Sequence, residues 1–283
     1  MNADYEFVIE ANKNWFAFDW KGLLHYRDLL FLLVRRDFVS KYKQTILGPL
    51  WFVLQPLLMT LVFSFVFGNI VKISTEKVPP LLFYLCGLLV WNYFAQNLNA
   101  TSQSLVANTH IFSKVYFPRL IIPLSAVISN LLTFLLQLVM FLGFFIYFRY
   151  FTQAKMDIHP NLFILVLPLL VFQTAVISLG VGLWISALTV KYRDFQYLTT
   201  FLTQLWMYAT PVIYPISAVP EKWRMWIVLN PMSAIVEFYR YAFFGIGAIN
   251  SCYLFISVMV SIFLFFSGIF IFNKVQRTFV DII

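Results

Sequence analysis

Six apolar stretches, residues 48–71, 81–100, 120–148, 162–188, 198–216 and 253–272, run without a single Asp, Glu, Lys or Arg. Each approaches the roughly 20 residues that a helix needs to cross the hydrocarbon of a bilayer. In that solvent every backbone N–H and C=O must pair inside the protein, which leaves helices or closed barrels. The stretches are long and do not alternate polar with apolar positions as barrel strands do, so they read as helices. With 61% hydrophobic and 11% charged residues, a chain of 283 residues has too little polar surface to coat a soluble globule. The expected fold is all-α and integral to the membrane. Six transmembrane helices form one domain over residues 1–283, with an N-terminal amphipathic interfacial helix and a re-entrant outer helical hairpin between spans five and six.

The first twenty residues are polar and lack the basic, apolar and small-residue succession of a cleaved signal, so the mature chain is expected to start at or near Met1. If both termini face the cytoplasm, 13 of the 20 Lys and Arg lie inside. Seven of these precede Gly48 (Lys13, Lys21, Arg27, Arg35, Arg36, Lys41 and Lys43), so the orientation rests mainly on that segment. This placement accounts for the net charge of +8 without a nucleic-acid patch, because the basic residues are scattered along membrane flanks. Cys86 and Cys252 form no CxxC pair, and His25, His110 and His159 are scattered. Neither a disulfide framework nor a metal site is expected.

Residues 22–46, ahead of the first span, have a different character. In the second half, Phe31, Val34, Phe38, Val39 and Tyr42 share one helical arc, and Arg36, Asp37, Ser40, Lys43 and Gln44 share the opposite one. Such a helix lies in the headgroup plane, as a surface anchor or as a docking element for a protein. Leu47-Gly48-Pro49 then allows a sharp turn into the first span. Residues 101–118 and the turn Lys191-Tyr192-Arg193-Asp194 are short basic loops of the kind the positive-inside rule places in any such protein. Residues 210–247 are long and mixed, with Pro211, Pro215, Pro220 and Pro231, the run Glu221-Lys222-Trp223-Arg224, and an amphipathic stretch through Glu237, Tyr239 and Arg240. Interrupted apolar helices with charges at this depth survive only against protein or a water-filled cavity, which predicts a broken hairpin at the outer face.

The spans carry no ionisable residue, which argues against ion-coupled pumping, since relays in pumps use buried carboxylates or histidines. No phosphate loop, nucleophile elbow or zinc-protease motif occurs, and Asp194, Glu237 and Arg240 show no catalytic spacing. Uncharged polar residues do recur. Asn92, Gln96, Asn99 and Gln103 stand at i, i+4, i+7 and i+11, in a narrow strip on one helix face. One reading is interhelical hydrogen bonding that fixes the bundle; the other, favoured because one or two amides would suffice for that, is a wettable strip lining a passage. Amides both donate and accept towards hydroxyl-rich solutes, and Trp91 and Tyr93 beside them can stack on sugar rings.

An ordered series of short motifs runs along the chain: Tyr26-Arg27-Asp28-Leu29-Leu30, Arg36-Asp37, Tyr42-Lys43-Gln44, Leu47-Gly48-Pro49-Leu50-Trp51 and Gln55-Pro56. It continues with Lys114, Phe117-Pro118-Arg119, Pro123, Lys191-Tyr192-Arg193-Asp194, Pro211-Val212-Ile213-Tyr214, Asn230-Pro231-Met232 and Tyr239-Arg240. In order and spacing the series resembles ABC-2-type permeases of the polysaccharide export branch, which includes O-antigen, capsule and teichoic-acid exporters. The resemblance implies a transport subunit in the bacterial inner membrane, not an enzyme. Two copies would form a pore for an undecaprenyl-linked glycan, driven by two separate ATP-binding cassette subunits that hold the ATP and Mg, with no cofactor in this chain. It further implies that Arg27, Asp28, Arg36, Asp37 and Lys43, with Asn108, His110, Phe112 and Lys114 of a coupling loop, contact the ATPase. Tyr214, Trp223, Asn230, Glu237, Tyr239 and Arg240 would belong to periplasmic gate helices over residues 217–247. Alternatives are an ABC-2 drug or lipid exporter permease, a membrane enzyme acting on lipid-linked sugars, or a non-transporting scaffold.

Overall fold

The computed structural model describes residues 20–112, 117–152, 158–247 and 250–278, and among these the regular structure is entirely helical. Two helices, α1 (Trp20–His25) and α2 (Arg27–Ser40), precede the membrane-length segments. The chain then turns at Gly48, whose φ of 53° suits a residue without Cβ, and Pro49 opens the next helix.

Among the described residues, five segments are long and apolar enough to cross a bilayer: Gly48–Ile70, Pro80–Ser102, Ile121–Phe151, Leu162–Lys191 and Ser251–Gln276. The first contains α3 (Trp51–Phe63) and a wider π-type continuation, Ser64–Ile70. The second is α4 (Pro80–Ser102), followed by two short helices, α5 (Ser104–Ala107) and α6 (Thr109–Phe112). The third is α7 (Ile121–Phe151), and the fourth contains α8 (Leu167–Lys191).

The fifth apolar stretch of the sequence behaves differently. Its helix, α9 (Phe195–Tyr208), has 14 residues, which at 1.5 Å each reach about 21 Å against the roughly 30 Å of a hydrocarbon core. It stops before Pro211, which has no N–H to donate, and the chain turns there. Two further helices, α10 (Glu221–Leu229) and α11 (Pro231–Phe244), follow before the last long helix, α12 (Ser251–Thr278).

The core forms around α4. Its residues 82–91 are buried without a break, as befits a helix apolar on all sides, and it packs against α3, α7, α8, α9 and α11. The fourth segment is wedged between α4 and α12. A Cβ on Gly180 of α8 would stand 2.6 Å from the Leu264 carbonyl oxygen of α12, and one on Gly268 would meet the Gly180 carbonyl. Close approach through small residues is how helices gain packing where lipid supplies no hydrophobic drive. By contrast, Trp51, Leu58, Met59, Leu61, Val62 and Phe65 of the first segment point outward.

Candidate functional site

The candidate functional residues form three groups, from α2 onward. In α2, Leu33 is buried with Phe117 and with Ile121 and Ile122 at the start of α7, and Val34 beside it is buried too, so this helix docks on protein. Val34 is buried and Phe38, Val39 and Tyr42 are half-buried, as on the arc read from the sequence, while Arg36, Ser40, Lys43 and Gln44 are exposed. Two residues depart from that reading: Phe31 is 66% exposed, and Asp37 turns inward. Arg36 pairs with Asp37 at 2.8 Å, Arg27 lies 3.7 Å from Asp28 in an exposed pair, and Lys43 is exposed. In the loop after α4, the Asn108 side chain donates back to the Ser104 carbonyl at 3.0 Å and His110 is exposed. Phe112 packs on Phe117, with the Arg119 guanidinium 5.6 Å from its ring centroid. Lys114 lies outside the described residues.

The second group is a polar seam between α4 and α7. Asn130 Nδ2 donates to Asn97 Oδ1 at 2.9 Å, and Lys41 Nζ donates to Asn130 Oδ1 at 2.5 Å. Asp37, paired with Arg36, lies near enough to act on the Lys41 charge and accepts from Ser125 Oγ at 3.4 Å. Burial holds the Lys41 ammonium below the usual lysine range, and Asp37 pulls it partly back. Ser129, Thr133 and Gln137 continue the seam along α7, each buried, and Asn97 Nδ2, Ser129 Oγ and Thr133 Oγ1 have no protein partner. The amide that reaches furthest inward is thus Asn97, which lies off the strip singled out in the sequence.

Of that strip, Asn92, Gln96, Asn99 and Gln103 are all half-buried in the single chain. Asn99 Nδ2 donates to the Ala95 carbonyl of its own helix at 2.8 Å, and its buried Oδ1 is unpartnered. Trp91 and Tyr93 are buried against Phe94 and Phe134, respectively. The signal for Asn97 was present in α7, where Ser125, Ser129, Asn130, Thr133 and Gln137 recur at the helical period.

The third group organises the segment from the end of α9 through α10 and α11. Arg240 is 1% exposed, yet its guanidinium donates to the Val212 carbonyl at 2.6 Å and the Tyr214 carbonyl at 3.3 Å, and meets Glu237 Oε1 at 3.5 Å. Its Cζ stands 3.7 Å from the centroid of the Phe83 ring. Planar, five-donor Arg suits such a position, since it stacks and hydrogen-bonds at once. Gly87 makes room: a Cβ there would lie 3.1 Å from both Arg240 Nη2 and the Val212 oxygen. Glu237 Oε1 also accepts from the Ile216 N–H at 3.1 Å. Asn230 caps α11 by accepting from the Met232 N–H at 3.1 Å, accepts from Trp206 Nε1 at 3.0 Å, and donates to Thr210 Oγ1 at 2.8 Å. The Tyr214 hydroxyl donates to the Tyr208 carbonyl at 3.1 Å, Tyr239 is buried, and Trp223 is 57% exposed. The far end of α11 is closed by His159 and Asn161, whose N–H groups donate to the carbonyls of Phe244 and Ala242 at 3.0 and 3.1 Å. Among the described residues no cluster of His, Cys, Asp and Glu could hold a metal ion.

This geometry has polar elements at both ends of the bundle, and comparison with known proteins gives the chain a family. The profile of the ABC-2 type transporter matches residues 28–244, from the start of α2 to the end of α11. The chain is 30% identical over 258 residues to an O-antigen export system permease protein RfbA of Klebsiella pneumoniae, covering 90% of this chain and 95% of the relative. It is 28% identical to the RfbA permease of Myxococcus xanthus, over 79% of this chain and 83% of the relative. It is also 21% identical to the polysialic acid transport protein KpsM of Escherichia coli, over 74% and 79%. The chain therefore belongs to the ABC-2 type transporter family.

Proposed function

We propose that this chain is the membrane subunit of an ATP-driven exporter that moves a lipid-linked polysaccharide across the bacterial inner membrane. The observation that carries the reading is the likeness to permeases named for O-antigen export, which extends over nine-tenths of the chain. Two copies form the pore, and two ATP-binding subunits in the cytoplasm bind ATP and Mg and drive it. The exposed charges of α2 and the α5–α6 loop supply the docking surface for those subunits. Lys41, Asn130 and Asn97 carry their movement into the bundle, since a contiguous polar link with two arrangements is a physical means of coupling.

In this account α9 makes a sixth crossing despite its length, with the turn after it completing the passage and α10 and α11 forming a re-entrant outer hairpin. Both termini are then cytoplasmic. The half-buried strip Asn92, Gln96, Asn99 and Gln103 lines the path between the two copies and hydrogen-bonds the hydroxyls of the passing glycan. An apolar cavity of about 370 Å³ between α4, α8 and α9, lined by Leu98, Val181, Ile185, Leu202 and Trp206, suits the undecaprenyl part of the carrier. The same cavity is what favours a lipid or drug exporter as the second reading.

Deleting the gene should remove surface polysaccharide while lipid-linked glycan accumulates inside, and the chain should co-purify with an ATP-binding subunit as a two-plus-two complex. Unchanged surface glycan would sink the proposal, and ATP-dependent dye export without glycan export would select the second reading.

A further inference from the structure

A cavity of about 390 Å³ opens at the outer face between the hairpin, the start of α12 and the loop after the first segment. Its size falls within the roughly 300–1,000 Å³ of small-molecule pockets. Polar groups with unused capacity converge on it. Ser233, which lines the cavity, is fully buried and its Oγ has no partner; Arg224 Nε is likewise buried and unpartnered. Glu237 spends Oε1 on Ile216 and Arg240, while Oε2 faces Gly247, where a Cβ would come within 3.2 Å of it. From the opposite wall Glu76, held at a φ of 53°, accepts from Ser217 Oγ at 2.5 Å through one carboxylate oxygen, leaving the other.

Two carboxylates, a hydroxyl and one guanidinium N–H make a mixed set of acceptors and donors with more negative than positive charge, and Tyr241 and Tyr253 add aromatic wall. Inorganic or lipid phosphate would meet those carboxylates unfavourably. Vicinal hydroxyls satisfy such a set, because each donates to a carboxylate and accepts from an N–H or O–H. We infer that this cavity is a saccharide subsite that holds one sugar unit of the emerging glycan at the outer exit. The inference rests on the export reading and assigns it a second contact region, separate from the strip on α4. Holding a unit there opposes back-sliding of the chain between strokes.

The test uses full-length protein in cells, with Cys252→Ser and a reporter, Ser217→Cys, read by a membrane-impermeant maleimide. Labelling is compared between cells whose ATP-binding partner cannot hydrolyse ATP, so that glycan is stalled in transit, and the same cells unable to initiate glycan synthesis. Stalled glycan should slow labelling in proportion to occupancy, about fivefold for a site four-fifths filled. Adding Glu76→Gln and Ser233→Ala, which leave the Glu237–Arg240 pair in place, should restore the fast rate at unchanged membrane level. Equal fast rates with and without glycan would overturn the inference. So would slow labelling in both backgrounds, the signature of lipid or protein covering the cavity, or protection that survives the double substitution. Export that depends on the chain while any of these occurs would remove the subsite and leave the exporter standing; surface glycan unaffected by deletion would remove both.

Discussion

Arg240 joins parts of the chain that no short sequence window connects. Its guanidinium collects two backbone carbonyls of the turn after α9, a carboxylate one helical turn away and an aromatic face on α4. Removing one partner of a buried charge pair costs about 3–5 kcal/mol, because the other partner is left uncompensated. Arg240→Met should therefore lower stability by about that amount, seen as an earlier thermal transition of the purified protein in detergent; an unchanged transition would contradict the clamp. Gly87→Val acts from the other side, pushing on Arg240 and Val212, and should cost about 1–3 kcal/mol through overpacking in the same assay. The sequence showed Arg240 as an unusual charge in the outer region and so marked it, but Gly87 and Phe83 lie some 150 positions away and carried no sign of it. Likewise the periodic amides of α4 identified a polar helix, yet Asn97 turns furthest inward because the partner that selects it, Asn130, is on α7.

At the scale of elements, the proposed export reading makes the link from α2 through α7 to α4 the part that separates docking from transport. Lys41→Met keeps the apolar stem and removes the ammonium that reaches Asn130. Interhelical polar contacts in membranes are worth about 0.6 kcal/mol on average, so stability should fall by less than about 1 kcal/mol. The ATP-binding subunit should still co-purify, and glycan exported per ATP hydrolysed should drop; wild-type coupling in this variant would reject the link. The triple substitution of Asn92, Gln96 and Asn99 to Leu should instead reduce export with assembly intact, and full export would remove the lining role. The amphipathic character of α2 was legible from its period, and most of the apolar arc packs inward, but Leu30 and Leu33 were left out of the apolar set, Phe31 points outward, and Asp37 was taken for a solvated residue. Composition cannot tell a carboxylate facing water from one facing Lys41 and Ser125.

For the whole molecule, five of the six uncharged stretches coincide, among the described residues, with helices long and apolar enough to cross a bilayer. Uncharged length did not describe the fifth stretch, where the absence of charge continued past Pro211 although the helix had ended at Tyr208. The proposed sixth crossing predicts that a cysteine replacing Asp194 is labelled only from the cytoplasmic side and one replacing Ser217 only from outside; labelling of both from one side would leave α9 as a surface helix. The central claim, ATP-driven movement of a lipid-linked glycan through a pore built from this chain, is tested most directly by reconstitution. Proteoliposomes containing the chain with its ATP-binding subunit would be loaded with the lipid-linked glycan of the source cell, and lectin access to the glycan on the far side followed in time. Access that rises with ATP and stays flat without it is the predicted result; a complex that assembles and hydrolyses ATP yet never changes glycan access would contradict the account.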